Sequence, residues 1–214
     1  MPLIFHKDIQ HNTSIGVWHI EEAPQFFIQA LQLDEKEEAY LETMKSHRRK
    51  EWLTSRYLAD KLCGGNCRIK IIKDTLGKPS LEDKTHHISI SHSRDRVAVI
   101  RSDVPVGIDI QHEEQKIVRI HQKFIHTDEI ARIDASALIP SYHIFWGAKE
   151  SMYKAYGKRE LDFRQHMHLY PFKYYQSNLE LSGWVRKEDI AQDYQIFTDK
   201  LDKYYLSYCL LNYD

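Results

Sequence analysis

The segment FWGAKESMYKAYG, Phe145 to Gly157, sets two lysines, Lys149 and Lys154, around one glutamate, Glu150. At the helical angle of about 100° per residue, Phe145, Ala148, Met152, Ala155 and Tyr156 form one apolar stripe. Glu150 and Lys154 are neighbours away from it, with Lys149 beside it. Taken alone, such a pair is a solvated helix face worth roughly a few tenths of a kcal/mol. A second segment, VGIDIQ, Val106 to Gln111, adds a chemical use. In a strand, Val106, Ile108 and Ile110 share the core face, and Gly107, Asp109 and Gln111 the other. Asp109 and Gln111 can then offer two oxygens to one cation, and Gly107 leaves room for a ligand. A strand aspartate and a helical glutamate between lysines make a hard-cation site. Mg²⁺ takes oxygen ligands, often one or two carboxylates with substrate phosphates and waters. The lysines would balance phosphate charge.

The elements that must position these groups read as mixed. SIGVWHI, Ser14 to Ile20, has strand character. A helical pattern runs from Asp34, a capping residue, to about Leu62, and CGGNC, Cys63 to Cys67, stops it. RIKIIK predicts a strand, and Gly77-Lys78-Pro79 a turn. HHISIS, RVAVIR and VGIDIQ, joined by SRD and SDVP, predict an antiparallel meander. A helical stretch follows from about Glu113 to Ile133, then the Phe145 helix. The part after about Tyr170 reads as more sheet. Helices and strands without strict βαβ order give an α+β class.

Composition bounds the partners. The chain has 214 residues and a formal net charge of -1. There is no global basic field for nucleic acid, so an anionic ligand must be held by local clusters. No apolar run approaches the ~20 residues of a membrane span, and MPLIFHKDIQHN lacks a signal layout. A cytoplasmic protein without a membrane partner is expected. Cys63, Cys67 and Cys209 are expected as free thiols in a reducing compartment, since no second ligand pair follows CGGNC at zinc-finger spacing.

VGIDI followed by FWGAKESMYKAYG resembles the 4′-phosphopantetheinyl transferase superfamily. LGKPSL (Leu76 to Leu81) and ISISHS (Ile88 to Ser93) resemble segments of its larger, surfactin-type branch. RRKEWLTSR (Arg48 to Arg56) and KFIHTDE (Lys123 to Glu129) fit in family order. The resemblance spans about residues 48 to 160. It implies two similar α+β lobes related by a pseudo-twofold, residues 1–103 and 104–214, with the active site at their interface. It also implies transfer of phosphopantetheine from coenzyme A to a serine of an apo acyl or peptidyl carrier protein, with Mg²⁺, releasing adenosine 3′,5′-bisphosphate. A monomer is expected.

Carried over residue by residue, Asp109 and Glu150 match the metal-binding carboxylates. Glu150 is also a candidate base for the carrier serine, directly or through water. Lys154 and Lys149 match lysines that contact the phosphates or the leaving group. Ser91 and His92 match residues at the nucleotide end of coenzyme A, including its 3′-phosphate. Lys78 and Pro79 match a turn against the adenine, and Arg48, Arg49 and Arg56 are candidates for further 3′-phosphate contacts. Arg49 and Arg56, seven apart, are expected on one helix face. One position departs: many members carry glutamate two residues after the aspartate, and this chain has Gln111, which offers a neutral oxygen or leaves the position to water. The segment Lys116 to Ile133, with Ile117, Val118, Ile120, Phe124 and Ile125 among Lys116, Arg119 and Lys123, is the expected carrier-docking surface. The alternatives are a non-catalytic homologue that binds coenzyme A or a carrier, and a metal-dependent nuclease. The usual nuclease lysine stands two residues after the glutamate, where this chain has Met152.

Overall fold

The computed structural model describes residues 2–64, 68–131, 133, 135–158, 160–174 and 178–212. Cys67 and the end of the CGGNC turn lie outside them. The first half runs β1 (Leu3–Ile9), β2 (Thr13–His19), α1 (Pro24–Leu31), α2 (Glu35–Glu42), α3 (Ser46–Leu62), β3 (Ile71–Lys73), β4 (Pro79–Leu81), β5 (His87–Ser93) and β6 (Arg96–Ser102). The second runs β7 (Val106–His112), α4 (Ile117–Ile120), a 3₁₀ turn His121–Lys123, α5 (Thr127–Ile130), a second 3₁₀ turn Ala135–Ala137, α6 (Leu138–Tyr156), β8 (Met167–Leu169), β9 (Leu179–Lys187), β10 (Ile190–Leu201) and β11 (Tyr204–Leu211). The α+β class holds.

Two antiparallel sheets carry the architecture. One has the order β1-β2-β6-β5 and the other β7-β11-β10-β9-β8, with β3 and β4 as a separate ribbon. Three apolar layers follow from the alternation of these strands. Helices α1 to α3 cover the first sheet through Phe27, Leu53, Leu58, Val97 and Val99. The sheets meet through Ile15, Val17 and Ile100 on one side and Val106, Ile108, Ile110, Leu206 and Tyr208 on the other. Helix α6 covers the second sheet through Phe145, Ala148, Met152 and Ala155, the stripe expected from periodicity.

Three element expectations change. The helix from Asp34 divides into α2 and α3, because Lys45 takes an extended conformation, φ -65 and ψ 150, and the Thr43 hydroxyl closes the end of α2 on the Tyr40 carbonyl. The meander ends after β5 and β6. Strand β7 pairs with β11, not β6, so Val106, Ile108 and Ile110 serve the layer between the sheets. The stretch after Glu113 is two short helices and a 3₁₀ turn.

Candidate active site

The VGIDIQ and FWGAKESMYKAYG segments meet where the sheets meet. Edge strand β5 runs beside edge strand β7, and serines at alternate positions of β5 bridge them. Ser89 Oγ accepts from the Ile108 N–H at 3.2 Å, and Ser93 Oγ from the His112 N–H at 3.1 Å. Between them, Ser91 Oγ donates to Asp109 Oδ1 at 2.9 Å. A period-2 run of serines thus substitutes side chains for a backbone ladder.

Helix α6 lies against β7 with its backbone almost touching. A Cβ on Gly107 would stand 1.8 Å from the Ser151 carbonyl oxygen. The space beside Gly107 is therefore filled by α6 and is not room for a ligand. This close approach brings Lys154 onto Asp109. Lys154 Nζ donates to Asp109 Oδ1 at 2.8 Å, Ser91 Oγ at 3.0 Å and the Ile108 carbonyl at 2.9 Å.

Asp109 is buried, with Oδ1 taken by two donors. Oδ2 has no hydrogen-bond partner among the described residues. Glu150 is one turn back on α6. Its carboxyl is pushed up to about 7, first by burial and then by the Asp109 charge, with Lys154 opposing. A carboxylate whose proton affinity is raised by a second carboxylate beside it is a place where a cation would relieve charge. Among the described residues no group of three or more His, Cys, Asp or Glu side chains is arranged around one point. The donor set is two carboxylates, which suits Mg²⁺ completed by phosphate and water.

Gln111 faces elsewhere than expected. Its Nε2 donates to the His143 carbonyl at 2.9 Å, and its Oε1 lies 2.7 Å from His143 Nδ1. The Glu114 N–H donates to His143 Nε2 at 3.0 Å. That nitrogen is the acceptor, so the ring proton sits on Nδ1 and goes to Gln111. The His143 ring stacks on Tyr205, centroids 4.9 Å apart. Both ends of the amide are spent tying β7 to α6, an arrangement that leaves the third cation position to water.

Lys149 also faces inward. It is fully buried and donates to Glu129 Oε2 at 2.6 Å, the Phe124 carbonyl at 2.8 Å and the Phe163 carbonyl at 3.0 Å. All three ammonium protons are used inside the protein. No phosphate can reach them without unmaking that buried network.

Beside the junction lies a groove of about 420 Å³ walled by Arg48, Trp52, Arg56, Lys73, Pro79 and His92, among others. It shares Gly77, Pro79 and Ile90 with a smaller cavity of about 240 Å³ that Lys78 and Lys154 line. Arg56 stacks on the Trp52 ring at 3.7 Å and donates only to the Trp52 carbonyl and Ser55 Oγ. Its buried cation has no carboxylate within hydrogen-bond reach among the described residues. His92 is half-exposed beside Arg48. Arg49 is on another side of α3, near Glu42, and lines a separate groove with Glu35 and Glu38. The expected pairing of Arg49 with Arg56 is thus replaced by Arg48 with Arg56. Lys78 Nζ donates to the Ala155 carbonyl at 3.0 Å, capping the end of α6. Ser91, buried against Asp109 and Lys154, does not face the groove as expected.

The expected docking segment keeps only part of its apolar surface. Ile117, Phe124 and Ile125 are buried in the core, while Lys116, Arg119 and Lys123 are exposed. Residues that the sequence reading passed over are Glu51, Lys73, Glu129 and His143. Glu51 carried a faint signal, three positions after Arg48 on one helix face.

Residues 105–209 match the family model described as the 4′-phosphopantetheinyl transferase superfamily. The chain is 35% identical over 111 residues to the protein named 4′-phosphopantetheinyl transferase gsp of Aneurinibacillus migulanus, a stretch covering 50% of this chain and 46% of that protein. The alignment thus spans about half the length of each. No helix among the described residues is long and apolar enough to cross a membrane.

Proposed function

We infer from the match over residues 105–209 that the chain is a member of the 4′-phosphopantetheinyl transferase superfamily, and on that premise we propose that it transfers 4′-phosphopantetheine from coenzyme A to a serine of an acyl or peptidyl carrier protein. The observation that carries this reading is the convergence of Asp109, Glu150 and Lys154 at the sheet junction, beside a groove whose charged lining is mostly cationic. Phosphoryl transfer needs alignment and charge neutralisation more than covalent help from the protein. Those are the two things this arrangement supplies.

The groove suits the nucleotide end of coenzyme A. Arg48, Arg56 and Lys73 offer charge and His92 a ring nitrogen for its phosphates, and Trp52, Pro79 and Ile90 offer apolar walls for the base. Asp109 Oδ2 and Glu150 would hold Mg²⁺, whose charge would neutralise the pyrophosphate. Lys154, whose protons go to Asp109, Ser91 and the Ile108 carbonyl, sets its positive charge beside that place. The carrier serine oxygen bonds to the β-phosphorus. The bond from that phosphorus to the bridging oxygen breaks, and adenosine 3′,5′-bisphosphate leaves. Glu150 sits near 7 in the metal-free site; bound to Mg²⁺ it would be a weaker base, and the serine proton would go to it directly or through a bound water. Lys116, Arg119 and Lys123 give the exposed basic rim that an acidic carrier would meet.

The experiment is direct. The protein is incubated with coenzyme A, Mg²⁺ and a panel of apo-carriers, and the carriers are weighed. A mass gain of one phosphopantetheine on at least one carrier is expected. A folded protein that binds coenzyme A but modifies no carrier in a broad panel would favour the non-catalytic homologue instead.

A further inference from the structure

The phosphate end of the groove is closed on itself. Arg48 Nη1 lies 3.1 Å from His92 Nε2 and 3.4 Å from Glu51 Oε2. His92 Nδ1 lies 3.2 Å from Glu51 Oε1. A guanidinium only donates, so Nε2 is the acceptor and carries no proton. The single ring proton is then on Nδ1, directed at Glu51. His92 is therefore neutral in the free protein. Its surroundings agree: burial first, then Arg48 of α3, Lys154 of α6 and Lys73 of β3 lower its pKa, and only Glu51 opposes them. Glu51 is itself only 13% exposed, and among the described residues it is the one carboxylate on the wall of a groove whose other charges are cationic.

A phosphate monoester entering here changes the count of donors. Above its second pKa of about 6 it has acceptors only. It competes with Nε2 for the Arg48 N–H, and an unprotonated Nε2 then faces a phosphate oxygen, lone pair against lone pair. Taking up a proton turns that clash into a charge-assisted hydrogen bond. A carboxylate already holding Nδ1–H is the partner that favours imidazolium. Without that proton, Glu51 would only repel the ligand.

We propose that Glu51 is a positioning residue that orients His92 through its Nδ1–H and couples phosphate capture in this groove to uptake of one proton at His92 Nε2. The inference rests on the nucleotide reading of the groove given above. It adds a residue to that reading, and a dependence on pH that a groove of arginines and lysines alone would lack.

The test is calorimetric titration of the full chain with adenosine 3′,5′-bisphosphate and with adenosine 5′-monophosphate. It is run between about pH 7 and 8.5, where the phosphates stay dianionic, in two buffers of different ionisation enthalpy. The bisphosphate is expected to bind with uptake approaching one proton, and its affinity to fall toward tenfold per pH unit. The monophosphate is expected to bind more weakly with no such uptake. In Glu51→Gln the uptake is expected to be largely lost and the pH slope flattened, with bisphosphate affinity at the alkaline end no lower than wild type. His92→Gln, melted alongside to check folding, is expected to lose the uptake as well. Bisphosphate binding without proton uptake in the wild type, or undiminished uptake in Glu51→Gln, overturns the proposal and leaves the nucleotide groove intact. A folded wild type that binds neither nucleotide overturns the groove's assignment, and the proposal with it.

Discussion

The Ser91 hydroxyl donates to Asp109 Oδ1 at 2.9 Å, from the edge of one sheet to the edge of the other. The same oxygen of Ser91 accepts from Lys154. One small side chain therefore fixes the carboxylate and the lysine relative to each other, and does so from the half of the chain that holds neither.

This gives Ser91 a role distinct from holding the nucleotide. Ser91→Ala removes one of the two donors to Asp109 Oδ1, and a hydrogen bond to a charged group is worth about 1.5–3 kcal/mol. The loss is expected as a fall in kcat/KM of roughly tenfold or more, with a raised Mg²⁺ requirement. It should be equal for coenzyme A and dephospho-coenzyme A. A loss confined to coenzyme A would return Ser91 to the 3′-phosphate.

Glu150 sets a pH dependence of stability in metal-free protein. Its folded pKa of about 7 exceeds the unfolded value of 4.5. The folded state thus binds this proton more tightly, and the carboxyl costs stability as pH rises from 4.5 through about 7. The full cost is on the order of 3 kcal/mol. In chelator, Glu150→Gln is expected to melt several degrees above wild type at neutral pH and above. The difference should close as pH falls toward the unfolded value. A variant with the same melting temperature as wild type across that range would show that Glu150 is not strained by its surroundings.

Strand alternation alone placed Asp109 opposite the core and predicted the apolar stripe of α6. Both are local, and local periodicity is what a single sequence records. The partner of β7 is not local. Ser207 stands opposite Asp109 in the register, and nothing in VGIDIQ says that the pairing skips β6. Lys149 and Lys154 look alike on either side of Glu150. What separates them is Glu129, whose segment reads as part of a helical docking surface, yet Glu129 itself is buried. Gln111 reads as a spare oxygen until His143 is seen to take it. Glu51 is hidden for the same reason, because its meaning depends on a strand 41 positions later that brings His92 to it.

The Gln111–His143 clasp predicts a structural phenotype at a position that resembles a metal ligand. Gln111→Ala leaves the His143 carbonyl and Nδ1–H without these partners in a buried place. A cost of about 1–3 kcal/mol is expected, read as a drop of several degrees in melting temperature. The Mg²⁺ requirement of the transfer should shift by less than about threefold, because water completes a Mg²⁺ shell readily. Gln111→Glu keeps the acceptor for Nδ1–H but sets a carboxylate oxygen against the His143 carbonyl. It too should melt below wild type. A large change in Mg²⁺ requirement with unchanged melting would make Gln111 a ligand after all.

Lys149 gives the sharpest separation of structure from catalysis. Its ammonium and Glu129 form a buried pair at 2.6 Å, and Glu129 also accepts the His126 N–H at 2.8 Å and the Leu169 N–H at 2.8 Å. Removing one partner of such a pair strands the other charge, at about 3–5 kcal/mol. Lys149→Met is therefore expected to lower the melting temperature by about 10 °C or more. The double variant Lys149→Met with Glu129→Gln removes the stranded charge and keeps an acceptor for one of the two backbone N–H groups, with the amide NH2 facing the other. It should recover a substantial part of that loss, a coupling seen only when the two residues act on each other. Phosphate contact by Lys149 predicts the reverse pattern: near-normal melting, a collapsed kcat/KM, and no rescue from position 129. Thermal melts of the two single variants and the double variant, with turnover measured well below the melting range, decide between the two.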